Sequence, residues 1–300
     1  MKVGVIGVGV MGQNHVRVYS ELPNCKLVGI ADINETLAES VAQKYHTQAF
    51  YDYKDLIKTG VEAVSIAVPT SLHSEVASFF LGKGVHCLVE KPIASNVEDA
   101  KMLVELARKT GSKLMVGQIE RFNPAVQKIK EIIDSGRLGR ILIISSRRVG
   151  PVPPRVVDIG ITIDLATHDI DIARYLFGKE PVKVCAKHGS ILHKKEDHVI
   201  GLLDFGEGVA IIEANWFTPH KVRTAVVTGT EGIAYIDYIE QRITIFDSNW
   251  KIEPKIEKEE PLIKELSHFI DCLEHDKIPL VTGEDGVNTL EVAIKCLEAS

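Results

Sequence analysis

"GVIGVGVMGQNH" occupies residues 4–15. Gly7, Gly9 and Gly12 stand in G-x-G-x-x-G order directly after the apolar run 3–7. This spacing predicts a strand that turns sharply into a helix. Gly7 permits the tight turn, and Gly12 lets the helix pack closely on the strand. The same alternation continues outward. Apolar runs at 26–31, 63–68, 86–90 and 113–118 read as buried parallel strands. Amphipathic stretches at 34–45, 71–81 and 97–110 read as the helices between them. Asn96 suits the N-cap of the last helix and Gly111 its end. Strand and helix in repeated order predict an α/β domain over residues 1–120, built on a doubly wound parallel sheet of Rossmann type.

The pattern changes after Phe122. A helix is expected over 124–134, with Pro124 at its first position and Gly136 beyond its end. Strand-like runs follow at 141–148, 182–189, 198–205, 209–216, 223–228, 233–237 and 242–246. The turns "DFGEG" and "TGTEG" separate some of them as hairpins require. Helices are expected at 163–177, 262–274 and 285–299. Residues 121–300 therefore read as an α+β domain for substrate binding and oligomerisation. Its large open sheet is mostly antiparallel, with helices on one face. The other face needs cover, so a homodimer or homotetramer packed through this sheet is expected. "KIEPKIEKEEP" (251–261) reads as a charged surface connection.

Composition narrows the partners. The 300 residues are 45% hydrophobic and 25% charged, a globular balance for two domains, with a net charge of -6. That charge argues against nucleic-acid or acidic-membrane binding. No apolar run approaches a membrane span, and no charged leader precedes an apolar segment, so neither a membrane anchor nor a signal peptide is expected. Cys25, Cys87, Cys185, Cys272 and Cys296 are scattered and odd in number. Reduced thiols in a cytoplasmic protein fit them better than disulfides or a zinc cluster.

Three groups of residues carry chemistry. The first is the glycine turn. Gly9 lets backbone approach a pyrophosphate, and the helix amides that begin at Val10 and Met11 face the phosphates. Asp32 ends the second strand about 20 residues on, where it would accept hydrogen bonds from an adenosine ribose and repel a 2′-phosphate. NAD is therefore expected over NADP; as an alternative, Asp32 caps a helix. The second group lies at strand ends, where doubly wound sheets bind ligands. "VPTSLH" (68–73) brings Pro69, Thr70 and His73, and "EKP" brings Glu90 and Lys91 ahead of Pro92. Lys91 could hydrogen-bond a substrate hydroxyl beside a nicotinamide; a surface Glu–Lys pair is the plainer reading. The third is "DIGITIDLATHDIDIARYLFG" (158–178), in which Asp164 and His168 are four apart and share a helix face. Histidine can take a hydroxyl proton near neutral pH, and a carboxylate can orient it. A helix-surface pair, or metal ligation together with Asp171, are the alternatives; no metal motif supports the latter.

Taken together, these motifs resemble the glucose–fructose oxidoreductase / inositol dehydrogenase / MocA family over nearly the whole chain. The resemblance implies NAD(P)-dependent oxidation of a sugar-type alcohol. It also implies a catalytic set of Lys91, Asp164 and His168, which also touch substrate. The family's common D-x-G-x-H has Ala166 at its middle position here. "GQIERFNPAV" (117–126) and the stretch 150–176 are similar to the branch that oxidises UDP-N-acetylglucosamine at C3. Arg121, Arg147, Arg148 and Arg155 precede the catalytic helix and could meet a diphosphate. Adjacent Arg147 and Arg148 on a strand point to opposite faces, so at least one is expected in solvent. Asn123 could contact substrate hydroxyls or cap the next helix. A free sugar or cyclitol substrate, or a non-catalytic nucleotide-sensing regulator, are the remaining readings.

Overall fold

The computed structural model describes residues 1–152 and 159–299. Two compact units divide the chain: Met1–Ile119 with Glu260–Val287, and Glu120–Glu259 with the remaining C-terminal residues.

In the first unit, β1 (Lys2–Ile6), β2 (Lys26–Ala31), β3 (Ala49–Phe50), β4 (Ala63–Ile66), β5 (His86–Glu90) and β6 (Leu114–Gly117) form one sheet. Its order is β3-β2-β1-β4-β5-β6, and every pair is parallel. The order reverses between β1 and β4, which creates the crevice at the strand ends where such sheets bind ligands. Helices α1 (Val10–Glu21), α2 (Glu35–Lys44), α3 (His73–Leu81) and α4 (Val97–Thr110) connect the strands. Helix α4 shows why local sequence suffices. The Asn96 side chain accepts from the Asp99 N–H at 2.8 Å, acidic residues fill the first turn, and Gly111 ends the helix at φ +69°. Ala100, Leu103, Val104 and Ala107 form its buried stripe.

The second unit holds α5 (Pro124–Asp134) and, after a single π-helical turn at Thr162–Ala166, α6 (Thr167–Phe177). Eight strands follow the order β14-β13-β12-β11-β7-β10-β9-β8. They are β7 (Ile141–Pro151), β8 (Lys183–Gly189), β9 (His198–Asp204), β10 (Val209–Asn215), β11 (Phe217–Gly229), β12 (Gly232–Asp237), β13 (Arg242–Asp247) and β14 (Lys251–Ile252). All neighbours are antiparallel except β7 and β10. Strand alternation gives the sheet two faces. Ile144, Ile212, Leu203, Val227, Ile236 and Ile245 point inward to a core shared with α5 and α6. Ile143, Ile200, Leu202, Ile211, Tyr235 and Phe246 are exposed on the other face.

Two expectations need correction. The stretch 251–261 is more than a connection. Lys251–Ile252 pairs with β13, and Ile252 and Ile256 pack against the core. The apolar residues spaced along a charged segment are what the strand edge takes up. Residues 260–287, assigned by pattern to the second domain, belong to the first unit. Helix α7 (Pro261–Glu274) packs on α1, burying Leu262, Leu266, Phe269 and Ile270. Beyond it Val116 donates its N–H to the Val281 carbonyl at 3.2 Å, which extends the β6 edge. Each such buried side chain contributes roughly 1.5–3 kcal/mol.

Phe269 has no exposed surface. Phe269→Ala is therefore expected to destabilise the protein by about 3–5 kcal/mol in denaturant melts. A loss under about 1 kcal/mol would mean that this helix contributes little to the first unit.

Candidate active site

The glycine turn is shaped by two steric limits. Gly7 has φ +81°, and a Cβ there would lie 2.7 Å from the Ala67 carbonyl oxygen. A side chain at Gly12 would run into the Gly7 carbonyl oxygen. Around Gly9, by contrast, nothing lies within 4 Å of the Cβ position. That open side is where a phosphate can approach backbone. No side chain caps α1, so the first-turn amides, which begin at Val10 and Met11, have no intrahelical acceptor. A cleft of about 490 Å³ opens here, lined by Gly7, Gly9, Asp32, Pro69 and Tyr51 among others. Its size and its donors fit a dinucleotide.

Asp32 is built into the turn. Its Oδ2 accepts from the Val8 N–H at 2.8 Å, and its Oδ1 from the Asn34 N–H at 2.9 Å. The helix-capping alternative falls to Asn34, whose side chain accepts from Leu37 N–H. Asp32 keeps its place on the cleft wall.

The two strand-end turns are tied together by His73. Its Nδ1 lies 2.8 Å from the Pro92 carbonyl oxygen and its Nε2 3.0 Å from that of Val68. The ring is buried and occupied with these carbonyls, so its place is between the turns bearing Pro69–Thr70 and Lys91. Burial pushes its pKa down. Glu90, the last residue of β5, is met from behind by His15 of α1, with Nε2 2.9 Å from Oε1. Lys91 follows, half-buried, and its peptide to Pro92 is cis.

In the second unit Asp164 lies in the π-helical turn and His168 just beyond it in α6. The continuous helix expected over 163–177 is thus two segments, and π turns recur at functional sites. Asp164 is buried and His168 half-buried. The carboxylates flanking His168 are each held by a buried arginine. Arg121 grips Asp171 through Nε and Nη2 at 2.8 and 2.7 Å, while Thr289 adds a hydroxyl at 3.2 Å. Arg148, 1% exposed, donates to Asp169 at 2.8 and 3.2 Å and to Glu120 at 2.7 Å. Burial opposes the charge on Glu120, but Arg148 outweighs it and holds the carboxyl below its usual range. These forks fix the helix that presents His168.

The arginines expected at a diphosphate are accounted for differently. Arg121 and Arg148 are consumed inside the unit. Arg147 faces the opposite way, 3.1 Å from Glu213, as strand alternation requires. Arg155 lies outside the described residues. Asn123 caps α5 at Ala125 N–H and donates to the Tyr238 carbonyl at 3.0 Å, the structural one of its two readings. Asp171 is engaged by Arg121, and no metal-holding cluster occurs among the described residues. Arg223 of β11, absent from the sequence reading, lies 3.7 Å from Glu120 and feels the charge of Asp164. Only its pairing with distant residues distinguishes it from other strand arginines.

A switch-point crevice, a glycine turn with an acidic residue on its wall, and a strand-end lysine define a dinucleotide-dependent oxidoreductase. Comparison with known proteins carries this further. Residues 1–118 match the model of the oxidoreductase family with an NAD-binding Rossmann fold, and 126–235 match the GFO/IDH/MocA C-terminal domain. The chain belongs to the GFO/IDH/MocA oxidoreductase family, and its cofactor is NAD. It is 32% identical to the scyllo-inositol 2-dehydrogenase (NAD(+)) of Bacillus subtilis, over 98% of this chain and 92% of that protein. It is 29% identical to the UDP-N-acetylglucosamine 3-dehydrogenase of Acidithiobacillus ferrooxidans, over 98% of this chain and 96% of that one. The solved structure of the latter, GnnA, superposes with a TM-score of 0.93, covering 100% of this chain and 97% of that chain.

Asp32 should discriminate between cofactors. We expect kcat/KM with NAD to exceed that with NADP by at least about tenfold, because a carboxylate facing a 2′-phosphate costs more than ~1 kcal/mol. Asp32→Ala should narrow the gap, and equal use of both cofactors by the wild type would refute this role.

Burial also lowers the pKa of His73, His86 and His268. A depressed histidine leaves stability intact above the unfolded value of about 6.5 and removes it as pH falls below that. Thermal melts should therefore drop between pH 7 and 5, and His73→Asn should flatten part of that slope. An unchanged slope in the variant would show that His73 is not among the groups responsible.

Proposed function

We propose that this protein oxidises a secondary alcohol of a sugar to the ketone, with a nucleotide sugar such as UDP-N-acetylglucosamine, at C3, as substrate. The whole-length likeness to the Acidithiobacillus ferrooxidans enzyme carries this reading. NAD, when bound, accepts the hydride. His168 accepts the hydroxyl proton, as an imidazole can near neutral pH. Asp164 orients the imidazole and the substrate. Lys91 hydrogen-bonds the reacting oxygen and stabilises negative charge as it develops. The helix bearing His168 is held rigid by the Arg121–Asp171 and Arg148–Asp169 forks, which favours a fixed proton-accepting geometry.

A second reading, a cyclitol or free sugar, has its own support. The relative at 32% identity is an inositol dehydrogenase, and Arg121 and Arg148 are unavailable to a diphosphate. Arg155 and Arg223 are the arginines left to distinguish the two.

The exposed apolar residues of the outer sheet face support assembly as a homodimer or homotetramer through that face. No helix among the described residues is long and apolar enough to cross a membrane. The five cysteines form no disulfide, in keeping with a cytoplasmic setting.

A panel of nucleotide sugars, free sugars and inositols, followed by NADH absorbance, separates the two substrates. On the best substrate, His168→Ala and Lys91→Ala should each lower kcat by about 10²–10⁴, with NAD affinity retained. Near-normal kcat in both variants would show the chemistry to be misassigned.

A further inference from the structure

Behind Glu90 lies a group of polar side chains that the reaction does not use. Glu265 projects from α7 and His15 and Tyr19 from α1, which packs against it. Glu265 is 0% exposed, and neither of its carboxyl oxygens has a hydrogen-bond partner among the described residues. His15 is equally buried; its Nε2 meets Glu90, and its Nδ1 likewise has no partner there. Glu90 bears electrostatically on Glu265 and Glu265 on Tyr19, across the packed pair of helices α1 and α7. Tyr19 is already spoken for, with its hydroxyl 2.8 Å from Ser65 Oγ.

A carboxylate with neither cation nor donor is far too costly to bury; a carboxylic acid is not. Burial first, and the nearby Glu90 second, push the Glu265 pKa well up. Orphaned polar atoms at such depth are where internal water is held. We propose that Glu265, as a carboxylic acid, and His15 form a buried relay, bridged by one internal water, that positions Glu90 at the strand end bearing Lys91. Glu265 donates its O–H to the water. The water donates to His15 Nδ1. His15, protonated on Nε2, donates to Glu90 Oε1. Each protein donor in the chain then has an acceptor, and Glu90 is the carboxyl that reaches the surface.

The seat of Glu90 supports this assignment. Its carboxyl lies over Gly117 of β6, where a Cβ would come within 3.1 Å of Glu90 Cδ. The carboxyl is thus bounded by a bare glycine in front and by His15 behind. Glu265 and His15 are positioning residues, acting on the reaction through Glu90; this role rests on the reading of Lys91 as catalytic.

The test compares Glu265→Gln, which keeps a neutral donor, with Glu265→Leu, which removes it. Infrared difference spectra of the wild type against Glu265→Gln should show the carbonyl stretch of a protonated acid at pH 7. At metal sites the loss of an outer hydrogen-bond partner costs about tenfold or more, and a loss of that size is expected here. Glu265→Leu should therefore lower kcat about tenfold with KM for NAD unchanged, while Glu265→Gln stays within about threefold of wild type. A side chain that merely fills the core would give the opposite pattern, with Glu265→Leu as active as wild type and more heat-stable. That result, or the absence of the acid band at pH 7, overturns the relay. The infrared measurement requires no substrate, so it decides the protonation even if the proposed alcohol is wrong or Glu265→Leu does not fold.

Discussion

The approach of α1 to the Gly7 carbonyl governs much of the first unit. It is possible because position 12 carries no side chain and position 7 tolerates φ +81°. Once α1 sits that close, its first-turn amides open onto the cleft, and Val8 offers its N–H to Asp32. The same placement, about one turn along, brings His15 to Glu90. A helix end for phosphates and a support for the strand end that bears Lys91 are thus consequences of one contact. A methyl group at position 12 would disturb both.

The second unit relies on a different device. Its central helix carries Asp169 and Asp171 inside the unit, and burying them without partners would cost several kcal/mol each. Arg148 and Arg121 meet them through paired N–H groups, a geometry only guanidinium provides. Replacing such pairs with apolar residues often leaves stability intact. Their value here is orientation: two rigid forks on either side of one turn leave α6 little freedom to rotate.

Local signals were legible from the amino acids alone. The glycine turn, the Asn96 cap, Pro124 at a helix start and the period-two strands each depend on neighbours within a few residues, and the structure has them where they were read. What could not be read is the pairing of distant groups. Arg121 and Asp171 are 50 positions apart, His15 and Glu90 75, and nothing near either end announces the partner. For that reason Arg121 looked available for a diphosphate, and Asp171 could be read as a metal ligand beside Asp164 and His168. Asn123 offered two readings because a cap and a ligand contact need the same amide. The π-helical turn under Asp164 escaped as well, since apolar spacing cannot distinguish one widened turn from a regular helix.

Because Glu260–Val287 belongs with the opening 119 residues, the nucleotide-binding half is not a contiguous stretch of polypeptide. During synthesis its parallel sheet emerges early, but the side of α1 that α7 will cover stays wet until nearly the whole chain has left the ribosome. The nucleotide-binding unit therefore cannot complete its packing until most of the chain has been made. The finished six-stranded sheet keeps the α7 side of α1 uncovered until a helix encoded some 140 residues after the break at Ile119 has been made.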